Sequence, residues 1–227
     1  RTYGEEPNST YQIQNYKGKR FSSSFDIMNE DKIIGSFDLA SPGFHNALNA
    51  TVAVAVAVDL GLSIEKVKKG ISQFAGVARR FQYRGEINGV SFIDDYAHLP
   101  TEVESALEAA KAGKWNRIVA VFQPHRFTRT NDLASTFSDC FQDADEIVIT
   151  GIYSAGEKAI PGVTGKLIAD AVESKAIGKN VRYCQHREDL IVFLRELLVE
   201  GDLCLTLGAG DLTNIVDQLM GALEDGQ

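Results

Sequence analysis

Two short stretches hold most of the residues with chemical reach. "DDYAH", residues 94–98, offers Asp94, Asp95, Tyr96 and His98, and "PHRFTR", residues 124–129, offers His125, Arg126 and Arg129. Guanidinium forks can grip a carboxylate or phosphate through paired hydrogen bonds. An imidazole can orient a ligand or move a proton near neutral pH. A single Arg or His at the end of a strand is usually a solvated loop residue. Here two stretches are loaded the same way, so the choice lies between a solvated rim and an anion-binding site.

"HNALNA" is the other polar feature. Asn46 and Asn49 are three residues apart and share a helix face beside His45. Buried amides can pair with a base such as adenine or cap the helix start, and spacing alone does not decide between them. "VARRFQYRG" places Arg79 and Arg80 at a junction, where an arginine can be solvated or reach a bound phosphate. Asp94 has a structural reading, with its carboxylate holding loop amides. His186 reads as a surface residue. "LGAGDL" suggests a nucleotide turn, but Thr213 stands where a dinucleotide fingerprint has its third glycine. "GVTGKL" lacks the spacing and the Ser/Thr of a Walker A loop. Zinc-type Cys/His spacing and a G-x-S-x-G elbow are both missing from the sequence.

The elements that must carry these residues follow from hydrophobic periodicity. From about residue 84 onward, five short apolar strands ("EINGVSFID", "RIVAVF", "EIVIT", "VRYCQ", "DLCLTLG") alternate with five helices. The helix after "RIVAVF" is expected over roughly 131–142. The helix "PTEVESALEAAKAG" has a capping-box pattern in Thr101 and Glu104. Such alternation predicts an α/β fold with a doubly wound, mainly parallel Rossmann-like sheet. In that fold ligands bind beyond the carboxyl ends of the strands, where His98, His125, Arg126 and Arg129 are expected to converge with Asp95. The earlier block reads differently. Residues 10–39 look like antiparallel strands or hairpins. A helix from near Pro42 to Gly61 is apolar almost all round, as if buried between layers, and "SIEKVKKGISQF" is a second, amphipathic helix. We expect residues 1–82 to be the trailing part of a central α/β ATP-binding domain and residues 83–227 to be a complete C-terminal domain.

The totals narrow the class. The chain has 227 residues and a formal net charge of −8 without a basic block, which argues against a nucleic-acid surface. The greasiest run is too short to span a bilayer and contains Asn49 and Asp59. Three scattered cysteines suit a reducing compartment, so the expectation is a cytoplasmic protein with no membrane partner.

Taken in order, "TYG", "PGFHNALNA", "GVARRF", "DDYAHLPTEV", "VFQPHRFTRT", "YSAGEKAIPGV" and "LGAGD" resemble the Mur ligases, the ATP-dependent amide-forming enzymes of peptidoglycan precursor synthesis. The likeness covers nearly the whole chain, and "FQPHRFTRT" is its most specific piece. That piece resembles the branch joining L-alanine to UDP-N-acetylmuramate; a related ligase that recycles tripeptide lacks it. The resemblance implies ATP and Mg2+ as cofactors, with the phosphate loop and the magnesium ligands upstream of residue 1 and no metal site in this chain. It implies the missing N-terminal half as a partner, so that this fragment is inactive alone. Arg126 and Arg129, with His125, would hold the alanine carboxylate. Tyr96 and His98 would lie near the alanine amine or the reacting centre, with His98 catalytic. His45, Asn46 and Asn49 would hold adenine, Asp95 would meet the ribose, and Arg80, with Arg79 as a second candidate, would reach the terminal phosphate. Leu99 stands where the family usually has a second histidine. The alternative reading is a non-catalytic amino-acid or nucleotide binding module. A third is a scaffold domain whose rim arginines only solubilise it.

Overall fold

The computed structural model describes residues 1–176 and 178–224. The chain divides into two compact units, residues 1–77 with 108–114, and residues 78–107 with 115 onward. The sequence reading put its boundary at 82/83.

The first unit contains a four-stranded sheet in the order β1-β2-β3-β4. Its strands are β1 (Tyr3–Gly4), β2 (Tyr11–Gly18), β3 (Ser23–Asn29) and β4 (Lys32–Leu39). As expected, β2, β3 and β4 pair antiparallel, while β1 runs parallel to β2. Alternating side chains Phe25, Ile27, Phe37 and Leu39 point into one core. Helix α1 (Phe44–Asp59) packs on this sheet and on α2 (Ile64–Gln73). It is not buried all round: Ala47, Ala50, Thr51 and Val54 are covered, while Val56 is 55% exposed. The four strands cover only one face of the helix, so its opposite apolar side stays open among the described residues.

The second unit is built on a six-stranded sheet in the order β5-β6-β10-β7-β8-β9. The strands are β5 (Gln82–Ile87), β6 (Val90–Asp95), β7 (Arg117–Phe122), β8 (Glu146–Thr150), β9 (Asn180–Cys184) and β10 (Asp202–Leu207). Strands β6 to β10 are mutually parallel. "EINGVSFID" is two strands rather than one. Asn88 and Gly89 both adopt positive φ, 53° and 74°, and turn the chain into an antiparallel hairpin of β5 and β6. Asn-Gly is a strong two-residue hairpin signal, and it is what makes the sheet six-stranded.

Helices α3 (Pro100–Lys111, whose last turn from residue 108 is counted with the first unit), α4 (Phe127–Leu133), α5 (Lys166–Glu173), α6 (Arg187–Leu197) and α7 (Thr213–Glu224) complete the unit. The helix expected over 131–142 starts earlier, as α4, and continues as a 3-10 segment, Ala134–Asp139. Leu190, Leu194, Ile215, Val216 and Leu219 of α6 and α7 pack on Val90, Phe92, Val119, Val121 and Cys204. On β7 the alternate residue Phe122 instead meets Phe137 and Phe141. Both faces of the parallel sheet are thus covered, as its apolar strands require. Each such fully buried aliphatic or aromatic side chain contributes about 1.5–3 kcal/mol relative to exposure. Burial pushes the thiols of Cys140 and Cys204 up to about 12, so both are inert packing groups.

The start of α3 is capped, but not by the expected Thr101–Glu104 pair. Glu102 lies at the third helical position, and its carboxylate accepts hydrogen bonds from the backbone N–H groups of His98 (3.0 Å) and Leu99 (3.2 Å). This is the reaching-back half of a capping box.

Candidate active site

The sheet order decides which strand tips meet. Strands β6 and β7, which carry the two loaded stretches, are not neighbours: β10 lies between them. Beyond the tip of β10 come Gly208, Ala209 and Gly210, which have little side chain to fill the space above it. The loops after β6 and β7 therefore close over β10. Gly208 N–H donates to the Asp95 carbonyl (3.0 Å), and Gln123 N–H donates to the Leu207 carbonyl (2.9 Å). Gly210 is packed tightly enough that a Cβ there would lie 2.4 Å from Gln123 Oε1 and 2.5 Å from the Tyr153 ring. The glycines of "LGAGD" thus serve close approach within the protein.

Across this saddle runs a row of four rings. Tyr96 meets His98 edge-on at 5.4 Å between centroids, His98 meets His125 at 5.7 Å, and His125 stacks on Tyr153 at 5.6 Å. The row draws on the loops after β6, β7 and β8. Arg79 and Arg80 both sit over the Tyr96 ring, at 5.0 and 5.8 Å from its centroid.

The two imidazoles are held in opposite tautomers. His125 Nδ1 lies 3.2 Å from Arg129 Nη1. A guanidinium can only donate, so Nδ1 is the acceptor and the ring proton sits on Nε2. Burial first, and then the positive charge of Arg129, lower the His125 pKa and favour the neutral ring. His98 Nδ1 faces two acceptors, the Tyr96 carbonyl at 3.0 Å and Glu102 Oε2 at 3.2 Å. It must therefore donate, which leaves the Nε2 lone pair of neutral His98 available.

The other expected residues are placed as follows. Arg126 is exposed on the same loop as His125, with Nη1 3.8 Å from Glu157 Oε1. Arg80 is also exposed. Asp95 is 5% exposed and lies under the cluster; its carboxylate accepts from Phe81 N–H and Ala97 N–H, both at 2.7 Å. Burial pushes its carboxyl up and these two amides pull it back. The amide-holding role foreseen for Asp94 thus belongs to Asp95. Asp94 instead accepts from the Thr206 hydroxyl (2.8 Å) and pairs with Arg79 Nε (3.2 Å), and Arg79 also donates to the Gly208 carbonyl (2.6 Å). Arg79 is therefore pinned to the sheet, while Arg80 is left to reach outward.

His45, Asn46 and Asn49 belong to the first unit. They lie on the first turns of α1, with the His45 ring against Gly43. Asn46 Nδ2 donates to Ser41 Oγ (3.0 Å) and the Pro42 carbonyl (2.7 Å). Asn49 is exposed.

Tyr153, Glu102 and Glu157 were not singled out from sequence, and Arg79, named there with Arg80 for a phosphate, is instead tied to Asp94 and the Gly208 carbonyl. Glu102, at the third position after the helix start, is the one with a readable local signal. Tyr153 also lines a cavity of about 300 Å³ with Gln123, Arg187, Leu190, Asp211 and Ile215. Among the described residues, no group of three or more His, Cys, Asp or Glu is arranged to hold a metal ion. No helix among them is long and apolar enough to cross a membrane.

The profile of the Mur ligase, glutamate ligase domain matches residues 79–210. The chain belongs to the Mur ligase family. It is 40% identical over 222 residues to the UDP-N-acetylmuramate–L-alanine ligase of Myxococcus xanthus, covering 98% of this chain and 47% of that protein. The enzyme of the same name from Carboxydothermus hydrogenoformans is 42% identical over 220 residues, covering 97% of this chain and 47% of the relative. The crystal structure of the Thermotoga maritima UDP-N-acetylmuramate–alanine ligase superposes with a TM-score of 0.82 at 28% identity, covering all of this chain and 48% of that one. The chain thus spans about half the length of the Mur ligases it matches.

Proposed function

We propose that this chain is the amino-acid-handling part of an ATP-dependent ligase that joins L-alanine to the lactyl carboxylate of UDP-N-acetylmuramate, a cytoplasmic step of peptidoglycan precursor synthesis. The observation that carries the reading is the pairing of Arg129 with neutral His125, facing His98, in a chain 40% identical to ligases of that name.

The reaction has two stages. The lactyl carboxylate attacks the terminal phosphate of ATP, releasing ADP and forming an acyl phosphate. The alanine amine then attacks the acyl carbon, phosphate leaves, and the nitrogen loses a proton. In this reading Arg126 and Arg129 grip the alanine carboxylate, and the Nε2–H of His125 adds a donor beside them. Fixing the carboxylate aims the amine. The Nε2 of His98 takes the proton released as the amide forms, while Glu102 steadies the resulting imidazolium. Tyr96 forms a wall beside the amine, and Arg80 reaches the terminal phosphate. Asp95 has little surface left for a ribose, so we assign it to holding the loop. His45, Asn46 and Asn49 are assigned to the adenine; Asn46 can offer only its oxygen, since both amide hydrogens have partners. Mg2+, when bound, would neutralise triphosphate charge.

The test is a ligation assay in the full-length protein that contains this sequence, with L-alanine, ATP and UDP-N-acetylmuramate and detection of the amide by mass spectrometry. Arg129→Ala should raise the KM for alanine about 10–100-fold, the loss of a charge-assisted hydrogen bond worth about 1.5–3 kcal/mol. Absence of the product with the wild type, together with tight alanine binding by calorimetry, would favour a non-catalytic binding module.

A further inference from the structure

The loop after β8 reads "YSAGE", and the proposed chemistry uses none of it. Its backbone is shaped for one purpose. Ala155 and Gly156 both take positive φ, 49° and 85°, and Glu157 N–H donates to the Ser154 carbonyl (3.0 Å). This tight turn carries the Glu157 carboxylate back to the start of α4. There Oε2 accepts from Thr128 N–H (3.1 Å), Oε1 accepts from the Thr128 hydroxyl (2.8 Å), and Oε1 lies 3.8 Å from Arg126 Nη1. The Thr128 bonds, and then the Arg126 charge, hold the Glu157 carboxyl below the usual range.

Arg126 itself is bound on both sides. Its φ is 70°, a region that L side chains rarely adopt. Its N–H donates to the Tyr153 carbonyl (2.8 Å), while Tyr153 N–H donates to the Pro124 carbonyl (2.9 Å), so the two loops form a one-residue parallel bridge. Its carbonyl accepts from Thr130 N–H (3.1 Å) and Thr130 Oγ1 (2.8 Å). The backbone of Arg126 is thus fixed in a strained state by the Tyr153 loop, and its guanidinium is drawn toward Glu157 on the same loop. An ion pair at 3.8 Å with a half-exposed arginine adds little stability. What it supplies is direction.

We propose that Glu157 is a positioning residue for Arg126, holding the guanidinium ready for the carboxylate of an incoming amino acid. This rests on the ligase reading for its substrate but not for its geometry. Glu157→Gln keeps an acceptor for Thr128 and removes the charge facing Arg126. Glu157→Ala removes both.

Two measurements test it. In the full-length enzyme, Glu157→Gln should raise the alanine KM about 5–10-fold with kcat changed less than about 2-fold, the split expected when ground-state alignment is lost. In an Arg126→Ala background, Glu157→Gln should add nothing, because the two residues act as one unit. A lower melting temperature with unchanged KM, or fully additive effects, overturns the proposal. The second measurement needs no ligase activity. In NMR spectra of the chain, the Arg126 Nε–H resonance, identified by its loss in Arg126→Lys, should move in Glu157→Gln, and Thr128 amide exchange should accelerate in Glu157→Ala. An unmoved Arg126 signal also overturns it. A wild type that makes no amide, but whose Arg126 signal responds to Glu157, counts against the ligase reading alone.

Discussion

Arg129 donates to the Nδ1 of His125 across 3.2 Å, one helical turn along the same loop and helix. Burial and then the charge of Arg129 favour the neutral imidazole, and the contact turns its remaining N–H away from the arginine. The stability of the chain should record it. His125 has its folded pKa lowered below 6.5, so the unfolded chain takes up the proton first as pH falls. Its contribution is therefore fully present above about pH 6.5 and is lost as pH falls toward the folded value. Thermal melts between pH 7.5 and 5 should show a steeper acid loss for the wild type than for His125→Gln. Parallel curves would contradict this assignment.

Glu102 faces His98 Nδ1 and also caps α3. Glu102→Gln retains an oxygen for the His98 and Leu99 amides, so it should cost under about 1 kcal/mol of stability. The ligation step should suffer more. Without the carboxylate facing its Nδ1, His98 loses the group that orients its ring, and kcat should fall about 10-fold or more while the alanine KM changes little. An unchanged kcat would remove His98 from the proton-transfer role.

Gly210 permits the close approach of Tyr153 and Gln123. Gly210→Ala forces the ring or the amide aside, with a cost of about 1–3 kcal/mol. Tyr153 should then leave the face of His125, and the alanine KM should rise together with the loss of stability. Gly70→Ala is expected to do the opposite. Gly70 lies in α2 with nothing near its added Cβ, so the variant should gain about 0.5–1 kcal/mol in urea denaturation.

At the other end of the sheet, Asp202 is buried and accepts Arg117 Nε (3.0 Å) and Nη2 (2.6 Å), as well as Val199 N–H (2.9 Å). Asp202→Ala removes two hydrogen bonds from the guanidinium, which keeps the Leu197 carbonyl (2.9 Å), and leaves the Val199 amide without its acceptor, and should cost about 2–3 kcal/mol by urea denaturation. It lies at the start of β10, far along the strand from the site, so alanine KM measured on the folded fraction should stay within about 2-fold.

Much of this protein is legible in local sequence. Apolar runs in β7, β8 and β10 mark buried parallel strands, and the alternating polar stretches of α5 and α6 mark helices, because side-chain periodicity follows directly from backbone geometry. The residue types at the tips of β6 and β7 point to anion handling for the same local reason. Asn88-Gly89 was equally readable as a hairpin. What periodicity does not carry is pairing between distant segments. Only the fold puts β10 between β6 and β7, brings Tyr153 to His125 and Glu157 to Arg126, and buries Asp95 under the loop amides. Those relations join residues tens of positions apart, and they are set by which apolar faces pack together. The sequence determined the chemical inventory and the elements that bear it; the tertiary structure decided which groups touch, and so which of them hold others in place and which are left to meet a ligand.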